Sequence, residues 1–139
     1  IPQKIYLVDK TIKENIVFDD LNYLNKKEFD KAISLSSLDD VIKNLPEGIN
    51  TYVGERGSRM SGGQIQRIGL ARAIYKSPQI LVMDEATNSI DNHSSKKIIS
   101  TVKNLKNITR IIVSHDLEIL KECEKTFCIN NYKISELNL

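Results

Sequence analysis

Apolar positions in the first third of the chain recur at helical spacing, at Ile12 and Ile16, then Phe29, Ala32 and Ile33, then Leu38, Val41, Ile42 and Leu45. Asp-rich and Asn-rich turns divide the pattern into short helices. Thr11 can cap a helix beginning at Ile12, and Asn25 or Lys26 marks the break before a second helix near residues 27–34. Leu45-Pro46-Glu47-Gly48 reads as a turn. After Gln64, Ile65, Ile68, Ala71 and Ile74 fall three apart with Leu70 and Ala73 beside them, while Arg67 and Arg72 interrupt the apolar set. Gly69, Ala71 and Ala73 permit close packing, and Lys76-Ser77-Pro78 ends the helix because proline cannot extend its hydrogen-bond ladder.

The period then changes. Ile80, Leu81, Val82 and Met83 are apolar without alternation, which predicts a parallel strand buried on both faces. Residues 92–105 return to helical spacing, with Ile98, Ile99, Val102 and Leu105 on one face, and residues 110–113 predict a second buried strand. Strand, helix and strand in this order imply parallel pairing through a right-handed crossover. Asp84-Glu85 and Ser114-His115 are therefore predicted on one sheet edge. Residues 118–124 read as a short helix. Lys125 to Ile129, the turn Asn130-Asn131, and Tyr132-Lys133-Ile134 suggest a terminal hairpin in which Cys128 is a small buried residue.

Two places carry chemistry. Ser61 is a good N-cap, Gly62 and Gly63 let a ligand approach the backbone, and the free N–H groups of the helix that follows favour an anion such as phosphate. Asp84 and Glu85 lie at the carboxyl end of an apolar strand, where open α/β sheets bind their ligands. An acidic pair can also cap a helix, but two carboxylates directly after a buried strand favour a site.

Met60-Ser61-Gly62-Gly63-Gln64 resembles the signature motif of ABC ATPases. Ile80 to Glu85 resembles their Walker B strand with its catalytic glutamate, and Ser89-Ile90-Asp91 their D-loop, in the family's order and spacing. Ile1-Pro2-Gln3 is similar to the Q-loop. Thr51-Tyr52-Val53-Gly54-Glu55-Arg56-Gly57 is similar to the X-loop of exporters, and His115 to the switch histidine. Asp116 departs from the family, which often has arginine there.

The resemblance implies an α/β, P-loop NTPase-like partial domain. A helical subdomain with Q-loop, X-loop and signature occupies residues 1–75, and the carboxyl-terminal part of the ATPase core, with parallel strands, helices and a hairpin, occupies residues 76–139. It implies ATP and Mg²⁺ as cofactors, with Asp84 and Gln3 at the metal and Glu85 as general base. His115 and Gln3 would orient water and γ-phosphate. Ser61, Gly62, Gly63, Gln64 and Asp91 would meet nucleotide across a head-to-tail dimer of ATPase domains. Glu55 and the helical subdomain would contact transmembrane domains, so the expected location is the cytoplasmic face of a membrane.

Composition adds bounds. Twenty basic and 18 acidic residues give a net charge of +2 with no long basic block, so nothing points to nucleic acid. Cys123 and Cys128 are not at metal-ligand spacing and read as reduced thiols. No apolar run approaches the ~18 residues of a membrane helix. No Gly-x-x-x-x-Gly-Lys phosphate loop occurs and the chain opens on Ile1, so it is expected to be a segment of a longer exporter, inactive alone. A DNA-repair or chromosome-structure ATPase is a weaker alternative, since no coiled-coil heptads occur. A non-catalytic interaction module is another.

Overall fold

A computed structural model describes residues 1–86 and 91–138. Helix α1 (Ile12–Val17) starts with a capping box in which the Thr11 side chain accepts the Glu14 N–H and the Glu14 carboxylate accepts the Thr11 N–H. α2 (Lys26–Leu35) is capped by the Asn25 side chain, which accepts the Glu28 N–H. α3 (Asp39–Lys43) and α4 (Gly62–Tyr75) follow. α1 presents Ile12, Ile16 and Val17, and α2 presents Phe29, Ala32 and Ile33, to one core; both helices pack on α4. Phe29 meets Tyr75 edge-on at 6.1 Å, and the Tyr75 hydroxyl accepts the Asn25 N–H at 3.2 Å.

A buried polar knot holds α1 and α4 to the amino-terminal arm. Asn15, fully buried, accepts the Val8 N–H and donates to the carbonyls of Val8 and Thr11. Arg72 of α4 donates to the Asn15 carbonyl, the Asn15 side chain and the Tyr6 carbonyl, with Phe18 beneath its guanidinium at 4.8 Å. Burial pulls the Arg72 pKa down from its ordinary value, yet four polar and π partners compensate the charge. What reads in sequence as an interruption of the apolar face is thus a side chain satisfied by main-chain oxygens.

Strand β1 (Ile80–Asp84) pairs in parallel with β2 (Thr109–Val113), Asp84 beside Val113, across α5 (Asn92–Lys103). Leu81 and Met83 join Ile98, Ile99 and Val102 of α5 and Ile119 of α6 (Leu117–Lys121) in the core. Burial on both faces does not hold. Ile80, Val82, Ile111 and Val113 are 44–59% exposed, because among the described residues the helices cover one face only. α5 stops at Lys103, leaving Leu105 in the turn beyond it. β3 (Thr126–Asn130) and β4 (Lys133–Leu137) form the expected hairpin. Its turn is Asn131-Tyr132 rather than Asn130-Asn131, with φ of +47° and +59°, the left-handed pair that matches strand twist. Cys128 there is half-buried, not buried.

Replacing Asn15 by alanine strands the buried Val8 N–H, takes one donor from each of the Val8 and Thr11 carbonyls, and removes the side-chain oxygen that Arg72 meets. Chemical denaturation is expected to show a loss of about 3 kcal/mol, against less than about 1 kcal/mol for an exposed asparagine such as Asn22.

Candidate functional site

At the carboxyl edge of the sheet the parallel register continues one residue past β1, where the Glu85 N–H donates to the Val113 carbonyl at 2.9 Å. Glu85 itself adopts φ = +47°, a left-handed conformation that is costly for a residue with a Cβ. Among the described residues, the side chains of Gln3 and His115 meet its half-buried carboxylate. Gln3 Nε2 donates to Oε2 at 2.7 Å, and His115 Nδ1 lies 3.2 Å from Oε1. That Nδ1 faces Glu85 leaves Nε2 for a ligand. The three residues come from the arm, from the end of β1 and from just beyond β2.

Each is held by backbone. Ile1 donates to the Val82 carbonyl and accepts the Asp84 N–H, which lays the arm along β1 and brings Gln3 to its end. His115 precedes α6, whose N-cap is Asp116: the Asp116 carboxylate accepts the Glu118 N–H and its own N–H donates to Ser114 Oγ. The residue that departs from the family pattern therefore does local structural work, fixing the turn that carries the histidine. Gln66 of α4 donates to the Gln3 carbonyl at 2.9 Å, a contact 63 residues apart in sequence for which no spacing rule gives a signal.

Asp84 lies on the open face of the sheet, in register with Val113 and next to Val82. Among the described residues no group of three or more His, Cys, Asp or Glu gathers to hold a metal. Asp84 and the Gln3 amide oxygen, whose nitrogen is committed to Glu85, offer a sparse set of hard oxygens. Such a set fits Mg²⁺, which keeps water and substrate oxygens in its shell, better than an ion that needs an all-protein cage.

The Ser61-Gly62-Gly63-Gln64 turn opens α4 through a second capping box. Ser61 Oγ accepts the Gln64 N–H at 3.3 Å and Gln64 Oε1 accepts the Ser61 N–H at 2.9 Å. The cap leaves the N–H groups of Gly62 and Gly63, at the helix's positive end, outside the intrahelical ladder. One turn further on, Arg67 pairs with Asp91 at 3.6 Å. Ser89 and Ile90 of the D-loop-like stretch lie outside the described residues. Glu55 is exposed in a 3-10 turn, Glu55–Gly57, set up by Gly54 at φ = +76°.

A family model described as ABC transporter matches residues 1–88. The chain belongs to that family. Similar relatives include an Arabidopsis thaliana protein named ABC transporter B family member 29, chloroplastic, 37% identical over 99% of this chain and 22% of its own length. An ATP-dependent lipid A-core flippase of Pseudoalteromonas translucida is 35% identical over 98% of this chain and 24% of its own. The solved structure of a bacterial Atm1-family ABC exporter with ATP bound aligns with a TM-score of 0.89 at 33% identity, over 97% of this chain and 24% of that one. The fold is thus that of part of an ABC exporter's ATP-binding domain, and the chain spans about a quarter or less of the length of these ABC transporters. No helix among the described residues is long and apolar enough to cross a membrane.

Loss of the signature cap in Ser61→Ala is expected to lower stability by about 1 kcal/mol, while Ser61→Asp, which can cap the same N–H, retains it. Thermal unfolding of the two variants side by side measures the difference.

Proposed function

We propose that this chain is the carboxyl-side portion of the ATP-hydrolysing domain of an ABC exporter, and that the Gln3, Glu85 and His115 rim is its hydrolytic centre. The convergence of these three side chains on one sheet edge carries the reading. Glu85 serves as general base, taking a proton from water as its oxygen bonds to the γ-phosphorus and the bond to the β,γ-bridging oxygen breaks. Gln3, bonded to the same carboxylate, and His115, with Nε2 turned away from it, orient the water and the γ-phosphate. Asp84 would hold Mg²⁺, which supplies charge neutralisation at the phosphates when bound. Glu85's strained backbone supports the reading, since such conformations cluster at functional sites.

The 139 residues contain no Gly-rich phosphate loop, and Ile80, Val82, Ile111 and Val113 leave an apolar face uncovered on Asp84's side of the sheet. A preceding segment of the same polypeptide would cover that face and bring the loop to Asp84. The Ser61 to Gln64 turn would close over ATP held by a second ATPase domain, with Asp91 at the same interface. Glu55 and the helices before α4 would meet transmembrane domains, placing the domain at the cytoplasmic side of a membrane. Hydrolysis and reopening of the dimer would drive transport.

In the full-length protein, Glu85→Gln is expected to reduce ATP turnover by about 10²-fold or more while nucleotide binding persists. Steady-state phosphate release with fluorescent-nucleotide binding tests this, and undiminished turnover would remove Glu85 as the base. The 139 residues alone are expected to release no phosphate above background.

A further inference from the structure

Gln66, Gly69 and Arg72 lie three residues apart on α4 and therefore along one strip of the helix. Each receives the arm that carries Gln3. Gln66 Nε2 donates to the Gln3 carbonyl at 2.9 Å, and Arg72 Nη1 donates to the Tyr6 carbonyl at 3.0 Å. Between them Gly69 lies beneath Ile5, three of whose side-chain carbons would stand 3.0 Å or closer to a Cβ at that position. Two bonds to backbone oxygens three residues apart, with a slot for the intervening side chain, define a register. A slip of one residue breaks both bonds and drives Ile5 out of its slot.

Gln66 is only 5% exposed, and its Oε1 is buried without a hydrogen-bond partner among the described residues. Burying an unpaired amide oxygen is unfavourable, and an apolar side chain of the same length would avoid it. The bond to Gln3 is what the amide contributes. We infer that Gln66 is a positioning residue for Gln3, and that the strip Gln66, Gly69 and Arg72 locks the arm to α4 in one register.

The effect of this lock on turnover rests on Gln3 and Glu85 serving ATP hydrolysis as proposed above; its effect on the arm does not. The test uses the full-length protein with Gln66→Met, Gln3→Ala and the double variant. Gln66→Met is expected to leave the melting temperature unchanged or raised, and to speed hydrogen exchange of the arm's Val8 amide, which is bonded to Asn15, by about tenfold. It lowers kcat by about ten- to a hundredfold, with KM for ATP held within about twofold. In the Gln3→Ala background the same substitution changes kcat by less than about twofold, because Gln66 acts through Gln3.

A full multiplicative loss in that background, or unchanged exchange in the arm, overturns the inference. If the parent protein hydrolysed no ATP, the functional reading would fall, and the exchange result alone would decide the lock. Should the methionine variant fail to fold, Gly69→Ala probes the register from its middle. It is expected to lower kcat to a similar degree, and Ile5→Ala in the same chain to recover it at least in part; absence of recovery counts against the strip.

Discussion

Parallel pairing of Asp84 with Val113 is the constraint on which the rim depends. Antiparallel strands would send the two chain ends to opposite edges, and neither a base nor a histidine could then serve the other. With both strands running the same way, the residue after each strand emerges at one edge. The extra main-chain bond from Glu85 to Val113 then sets the height at which the carboxylate sits. Glu85 then turns out of the ladder through a left-handed conformation, φ = +47°.

α4 performs the second organising task. Its first turn is the Ser61 cap, its middle grips the arm through Gln66, and its last turns meet Asn15 and Phe18 through Arg72. A helix so anchored along its length behaves as a rigid strut between the two chemical regions of the chain. Most of its long-range polar contacts end on backbone carbonyls, which no side-chain substitution in the arm removes. These bonds are therefore tolerant of side-chain change in the arm, apart from Ile5 and the fully buried Leu7.

Much of this was legible from residue types. Thr11 and Ser61 read as N-caps, and the structure forms both, each completed to a capping box by Glu14 and Gln64. The strand, helix and strand order led to the parallel pair and hence to Glu85 and His115 on one edge. What failed has physical reasons. Periodicity reports that a strand is apolar, not whether a layer lies over each face, so one-sided burial of β1 was invisible. Asn130 looked the better turn residue, yet cross-strand pairing of Asn130 with Lys133 forces Tyr132 into the left-handed state instead. Arg72 looked like a polar interruption and Gln66 gave no signal, because their acceptors lie about 60 residues away, beyond the reach of any local pattern.

The uncovered side of the β1–β2 sheet has a practical consequence. Ile80, Val82, Ile111 and Val113 form a contiguous greasy patch on two short strands, the kind of surface that recruits another copy edge to edge or face to face. Expressed by themselves, these 139 residues would seek cover through aggregation even though their helical core is well filled. Poor solubility of such a preparation would report the missing layer, not a flaw in the interior packing.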